Sequence, residues 1–194
     1  MMVTREEKIA HAFKSFANHK AVLKDLGGIQ ILNWQIPGEI WYKVRYVFDL
    51  DGKRIYISGD LGAAVVHPTW PATFEHTYHN VCGARPDVNE GYFLEKVEAT
   101  SNRYEYDRDE AEKMVKDRCE GIEEEEDALE RVMESFDDQW GLIHASDLAR
   151  QILGNYDEDY WEWISRAGQS IDGRIYLWLV GLKMAWQQIH QEAK

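Results

Sequence analysis

Long apolar runs are missing from this chain of 194 residues. The longest, Ile175 to Leu182, includes Gly181 and is too short to cross a bilayer, so no membrane contact is expected. Cysteine is scarce. Cys82 and Cys119 are the only two, which excludes a disulfide framework and predicts two reduced thiols. The N-terminal stretch MMVTREEKIAHAF carries Glu6 and Glu7 and lacks an apolar core; no signal peptide is expected, and a cytoplasmic location follows. Basic residues are outnumbered, 22 Lys and Arg against 35 Asp and Glu, which disfavours direct binding to nucleic-acid phosphates. Also lacking are GxGxxG, a Walker lysine, GxSxG, HExxH and paired CxxC. No dinucleotide, phosphate-loop, serine-hydrolase or zinc-finger chemistry is therefore indicated, and the expectation is a non-enzymatic protein without a cofactor.

Aromatic residues are plentiful: eight Trp, ten Tyr and six Phe, within an apolar share of 44%. Each ring buries a large area, so the chain is expected to fold as a single domain, 1–194. The net charge of −13 is unevenly placed. Residues 1–100 hold 12 acids and 11 bases, residues 101–165 hold 21 and 7, and residues 166–194 hold 2 and 4.

The order of periodicities predicts an α+β fold, with a small antiparallel sheet of three to four strands, an N-terminal helix and a C-terminal helical region. Thr4 and Glu7 have capping-box spacing, and Ile9, Phe13, Phe16, Leu23 and Leu26 extend one helix to Gly27-Gly28. Strands are expected over Gly28–Trp34, from Ile40, over Arg54–Ser58 and over Ala63–Val66, with Asp51-Gly52 as a hairpin turn. Pro71–Cys82 and Asp87–Ala99 are assigned helix. A long helix should start near Asp107 and carry one apolar stripe to Phe136, with Gly121 the weak spot at which it bends or breaks. Ser146 caps a short helix, Asp157–Arg166 forms another, and Gly173–Gln191 is broad enough in its apolar face to be the central helix. Residues 1–100 thus form a helix-plus-sheet frame and residues 101–194 a helical part, acidic at 105–138.

Four clusters are candidates for function. His76, His79 and Cys82 recur at i, i+3 spacing and are ligand types that zinc accepts, but three ligands on one helix seldom converge, so no metal is assigned. Ser58-Gly59-Asp60-Leu61-Gly62 has the glycines of a bulge or tight turn, with Asp60 placed to lock it. The acidic cluster of Glu120, Glu123, Glu124, Glu125, Glu126, Asp127, Glu130, Glu134, Asp137 and Asp138 reads either as a solvated face or as a helical rod imitating a phosphate backbone. Tyr156, Asp157, Glu158 and Asp159, with Tyr160, Trp161 and Trp163, combine aromatic and acidic groups, in the core or at an interface.

The segments Asn33-Trp34-Gln35-Ile36-Pro37-Gly38, Tyr42–Phe48 and Ile55–Val65 with its Gly-Asp-Leu-Gly resemble a family of uncharacterised bacteriophage and prophage proteins. Asn89–Ala99 is similar to that family's Gly-Tyr-aromatic-x-Glu-Lys segment, and Ile175–Gln188 to its final Trp-containing helix. The resemblance spans most of the chain in short pieces and is least over residues 120–140. It supplies no catalytic residues. It implies a phage origin and, by analogy with other small phage proteins, an anti-defence inhibitor such as an anti-CRISPR. Such a protein would work in the host cytoplasm against a defence protein or ribonucleoprotein with a basic surface. The alternatives are a phage accessory protein in replication or assembly, and a metal-dependent enzyme using His76, His79 and Cys82.

Overall fold

The computed structural model of the chain describes residues 3–83, 87–125 and 127–191. In chain order its elements are α1 (Arg5–Ser15), β1 (Lys20–Asp25), β2 (Ile29–Gln35), β3 (Val44–Asp49), β4 (Arg54–Gly59), β5 (Ala64–Val66), α2 (Phe74–Tyr78), α3 (Glu90–Lys96), β6 (Val97–Thr100), β7 (Tyr104–Tyr106), α4 (Arg108–Arg118), α5 (Ala128–Met133), α6 (Asp147–Tyr156), β8 (Gln169–Ile171) and α7 (Gly173–Gln191). They fall into two compact units. A sheet unit holds Thr4–Arg103 and Gly173–Lys194; the other, here the acidic unit, holds Tyr104–Asp172 together with Met1–Val3. Among the described residues no helix is long and apolar enough to cross a membrane.

In the sheet unit, β1 to β6 form one antiparallel sheet in sequence order. Alternation puts Leu32, Trp34, Val44, Tyr46, Phe48, Ile55, Ile57, Ala64, Val66 and Val97 on one buried face. Fully burying each of the larger side chains contributes roughly 1.5–3 kcal/mol. α1 and α7 pack together, and α7 also meets β1 and β2. The Tyr46 hydroxyl donates to the Trp178 carbonyl at 2.6 Å. Gly181 permits this approach, since a Cβ there would lie 3.0 Å from both Trp34 Cδ1 and the Tyr46 hydroxyl.

The α+β class holds, but the sheet is larger than the three or four strands expected. The spacing of Leu23 and Leu26 places β1 in the first helix. α1 instead ends at Ser15, and Lys20–Asp25 pairs with β2 along its whole length, Lys20 with Gln35 through to Asp25 with Gln30. Gly27, at φ +85°, serves a hairpin and not a helix end. The open edge of β1 is blunted by its lysines and by Gln188, whose Oε1 accepts from the Ala21 N–H at 2.7 Å. At Asp87–Ala99 the helix stops at Lys96, and Val97–Thr100 joins the sheet beside β5.

Other boundaries also move. The strand expected from Ile40 begins only at Val44, after Tyr42 at φ +60°. The hairpin closes at the Asp49–Arg54 pair, with the Gly52 N–H donating to Asp49 Oδ1 at 2.8 Å. The Thr4 capping box is formed as read. Gly59, at φ +137°, ends β4 where the chain turns. Asp60 locks the turn: its Oδ2 accepts from the Lys43 N–H at 3.2 Å, and its own N–H donates to the Lys43 carbonyl at 3.2 Å.

The acidic unit has its own core, built from Ala111, Val115, Cys119, Ile122, Val132, Met133, Leu142, Ala149, Leu153, Trp163 and Ile164. Asp107 and Ser146 cap α4 and α6 as expected, accepting from the Glu110 and Ala149 N–H groups. The single long helix is absent. α4 stops at Arg118, Gly121 takes φ +86°, a 3-10 turn covers Ile122–Glu124, and Asp127 takes φ +67° before α5 starts. Consecutive carboxylates repel at helical spacing, and Gly121 offers a low-cost break. Asp157–Arg166 likewise forms two 3-10 turns, Tyr160–Glu162 and Ile164–Arg166, and no α-helix. β7 and β8 pair here as a two-stranded sheet within the region expected to be helical.

Candidate functional site

Charge separates along the boundary between the units. Tyr104–Asp172 holds 22 acidic and 7 basic residues, a net −15, whereas the sheet unit holds 13 acidic and 15 basic, a net +2. The acidic side chains are mostly on the surface. Glu120, Glu123, Glu124, Glu125, Asp127, Glu130, Glu134, Asp137, Asp138, Glu158 and Asp159 are exposed, and Tyr156 and Asp157 are half-buried. Glu126, singled out with them, lies outside the described residues.

Of the two readings of the cluster, the helical rod of carboxylates is not formed, because the acids are spread over a 3-10 turn, an extended residue and α5. What the fold does is join the two candidate clusters. The Tyr156 hydroxyl donates to Glu125 Oε2. That hydrogen bond, with some burial, pushes the Tyr156 phenol up to about 12. Lys116 sits between Glu112 and Glu123, 2.9 Å from each, and its ammonium is held above its usual range by hydrogen bonds to both. Pairs this exposed are screened by solvent and add little to stability, so Lys116 shapes the patch more than it stabilises the fold.

Two of the acids are structural. Asp137 Oδ1 accepts from the N–H groups of Gln139 and Trp140 at 2.8 and 3.0 Å, closing the turn that brings Asp137 to Gly141. Asp157 Oδ2 accepts from the Trp163 indole N–H at 2.8 Å, and its Oδ1 accepts from the Asp159 N–H at 2.9 Å. The indole bond first, then the backbone bond, holds the Asp157 carboxyl below the usual carboxylate range. A depressed carboxyl stabilises the fold fully above its unfolded value, about 4, and loses that contribution as pH falls through the folded one. Trp163→Phe removes the indole donor. The gap in urea midpoint between wild type and Trp163→Phe is therefore expected to stay constant above about pH 5 and to narrow below about pH 4. A gap that ignores pH would count against this bond as a source of stability.

The 156–163 aromatics divide between core and surface. Trp163 is buried and Trp161 is 63% exposed, beside Asp159 and Glu162. Trp140 is 48% exposed, next to Asp137 and Asp138. Trp140 is not among the residues marked by the acidic or aromatic clusters; its signal in the sequence is the Asp-Asp-Gln-Trp-Gly run, a turn with an aromatic at its tip. Large exposed aromatics framed by acids are the residue types that anchor interfaces.

The His76, His79 and Cys82 trio does not converge. His76 Nδ1 bonds the Thr73 hydroxyl at 2.8 Å, His79 packs edge-on against Trp186, and Cys82 Sγ donates to the Leu179 carbonyl. The helix expected there ends at Tyr78, and His79–Gly83 is a π turn. Among the described residues no three His, Cys, Asp or Glu side chains form a group that could hold an ion. Burial pushes the Cys82 thiol up to about 12 and the Cys119 thiol up to about 11. Neither forms much thiolate near pH 8, so native protein should show almost no labelling by a thiol reagent, and both cysteines should react once guanidinium unfolds it. Rapid labelling of the native protein would mean that one of these cores opens readily.

In the comparisons with known proteins, no protein-family model matches the chain, and neither a curated protein nor a solved structure does.

Proposed function

We propose that this protein is a non-enzymatic binding protein whose acidic unit, residues 104–172, occupies a basic surface of a partner. The observation that carries this reading is the segregation of charge, net −15 on a separately compact unit against net +2 on the rest. A field of one sign concentrated on one unit raises the encounter rate with a surface of the opposite sign and disfavours acidic partners. Trp161 and Trp140 support it by supplying apolar anchors among the carboxylates. A groove that normally holds nucleic acid has the matching character, basic and accessible to aromatic side chains.

In its specific form the proposal is a phage-encoded inhibitor of a host defence complex, of the anti-CRISPR type, acting in the host cytoplasm. The test is affinity capture from a bacterial host that carries its defence systems, followed by mass spectrometry. The expected result is a captured nucleic-acid-binding complex, released by added nucleic acid and by salt. If the protein expressed alone leaves every such system able to restrict plasmids and phage, the second reading gains: an accessory protein whose acidity serves solubility.

A further inference from the structure

We propose that the outer face of the six-stranded sheet is a self-association surface, on which a second copy of this chain packs about a twofold axis lying in the interface. α1, α2 and α3 each pack with α7, and α7 meets β1 and β2. These helices serve the buried face. The opposite face has no such layer: Arg45, Tyr56, Ser58 and Ala99 are exposed on it, the Tyr56 ring by 41%. Strand register sets Ile31, Val47, Tyr56, Val65 and Ala99 directly opposite one another from β2 to β6. They form one continuous apolar row across five strands, the kind of surface that marks an interaction site.

The charges beside the row identify the occupant. Arg45 and Asp49 lie on the same strand and the same face, one two residues before Val47 and the other two residues after it. They therefore flank the row at equal distances on opposite sides. A twofold axis along the row exchanges those sides, so each copy's Arg45 comes opposite the other copy's Asp49. An unrelated partner needs no such symmetry; a second copy does. Arg45 has no ion pair among the described residues. Asp49 Oδ1 accepts from the Gly52 N–H, which leaves Oδ2 for a partner. Packed sheets lie about 10 Å apart with their strands within about 30°, a gap that an arginine and an aspartate bridge together. Shape agrees with charge. Two Tyr56 rings meeting on the axis cannot share one place, and a hollow of about 430 Å³ opens beside Tyr56, lined by the small residues Ala63, Ala99 and Ser101. Each ring can lie in the other copy's hollow. Strand spacing and rise give this face roughly 400–500 Å² in plan. A pair of copies would thus bury about 1,000 Å², the lower end for specific association and the size of a weak, reversible dimer.

The experiment is sedimentation equilibrium of the whole chain from about 5 to about 500 µM. It is run at about 150 mM salt, where repulsion between chains of net charge −13 is screened beyond about 8 Å. A monomer–dimer equilibrium is expected, with a dissociation constant of about 10–200 µM. Tyr56→Lys, at an exposed position, should weaken it at least about tenfold. Arg45→Asp and Asp49→Arg each set like charges opposite one another and should each weaken it at least about fivefold. Mixed in equal amounts, these two variants bring opposite charges together again and should associate as tightly as the unaltered chain. A variant that had merely lost its fold would not recover in the mixture. A chain that stays monomeric to about 500 µM would overturn the proposal. So would undiminished association of Tyr56→Lys, or a mixture that associates no more tightly than its separate components.

Discussion

Gly59→Ala is expected to lower the stability of the sheet unit by about 3 kcal/mol or more, a large part of the 5–15 kcal/mol typical of a folded domain. Two effects combine. Gly59 holds φ +137°, a region that side-chain-bearing residues rarely enter, and forcing one there costs about 1–3 kcal/mol. A Cβ at this position would also run into the Lys43 carbonyl oxygen, which is backbone and is fixed by its bond from the Asp60 N–H. Relief would require parting β3 and β4 at the Val44–Gly59 pair, close to Tyr46 and the α7 contact. Urea unfolding followed by circular dichroism measures the effect. Gly91→Ala is the matched control: it lies inside α3 with nothing within 4 Å of the added Cβ, so it should raise stability by about 0.4–1 kcal/mol. Equal midpoints for the two variants would remove strain at Gly59 from the account.

The second large effect concerns binding. Replacing Glu124, Glu130 and Glu134 by lysine changes the net charge from −13 by six while touching only exposed positions. Affinity for a captured basic partner is expected to fall about 10²- to 10³-fold, because like charges brought together across an interface cost several kcal/mol. Most of the loss should appear in the association rate. The affinity of the unaltered chain should itself drop steeply between about 50 and about 300 mM salt, as the screening length shortens. The control makes the same total change on the sheet unit, with Glu39→Lys, Glu75→Lys and Glu95→Lys, all exposed. If both triple variants bind alike, net charge and not the acidic unit governs recognition. If neither loses affinity, the acidic surface takes no part. Thermal stability should be unchanged or slightly higher in the first variant, since crowded carboxylates repel.

What could be read from the sequence was the chemistry that acts over three or four residues. The caps at Thr4, Asp107 and Ser146 and the lopsided charge depend on neighbours in the chain, and the glycines around Asp60 mark its turn although the partner that locks it, Lys43, is distant. Properties decided by distant partners were not legible. Lys20–Asp25 carries three consecutive apolar residues, Ala21, Val22 and Leu23, that suit either periodicity, and only pairing with Ile29–Gln35 makes it a strand. Val97 belongs to β6 because β5 is beside it. For the acidic stretch, helix propensity pointed one way, while repulsion, Gly121 and the need to bury Ile122 and Ala128 pointed another. The opposite fates of Trp161 and Trp163 follow from a 3-10 geometry that the aromatic spacing alone does not reveal.

The interruption of the sheet unit by 69 residues, Tyr104–Asp172, sets an order on how the chain is made. Ser101 and Arg174, 3.2 Å apart, flank the interruption in space, yet a ribosome delivers them far apart in time. All six strands of the sheet emerge first, and α7, which shields Trp34 and Tyr46, emerges last. At about 5–20 residues per second the wait lasts roughly 3–14 s. During that interval an apolar sheet face lacks its main helix, the condition under which nascent chains stick to one another. The segment extruded meanwhile is the one with net charge −15. Tethered directly to the unfinished sheet, it would hold neighbouring nascent chains apart until the last helix arrives, whatever partner it later meets.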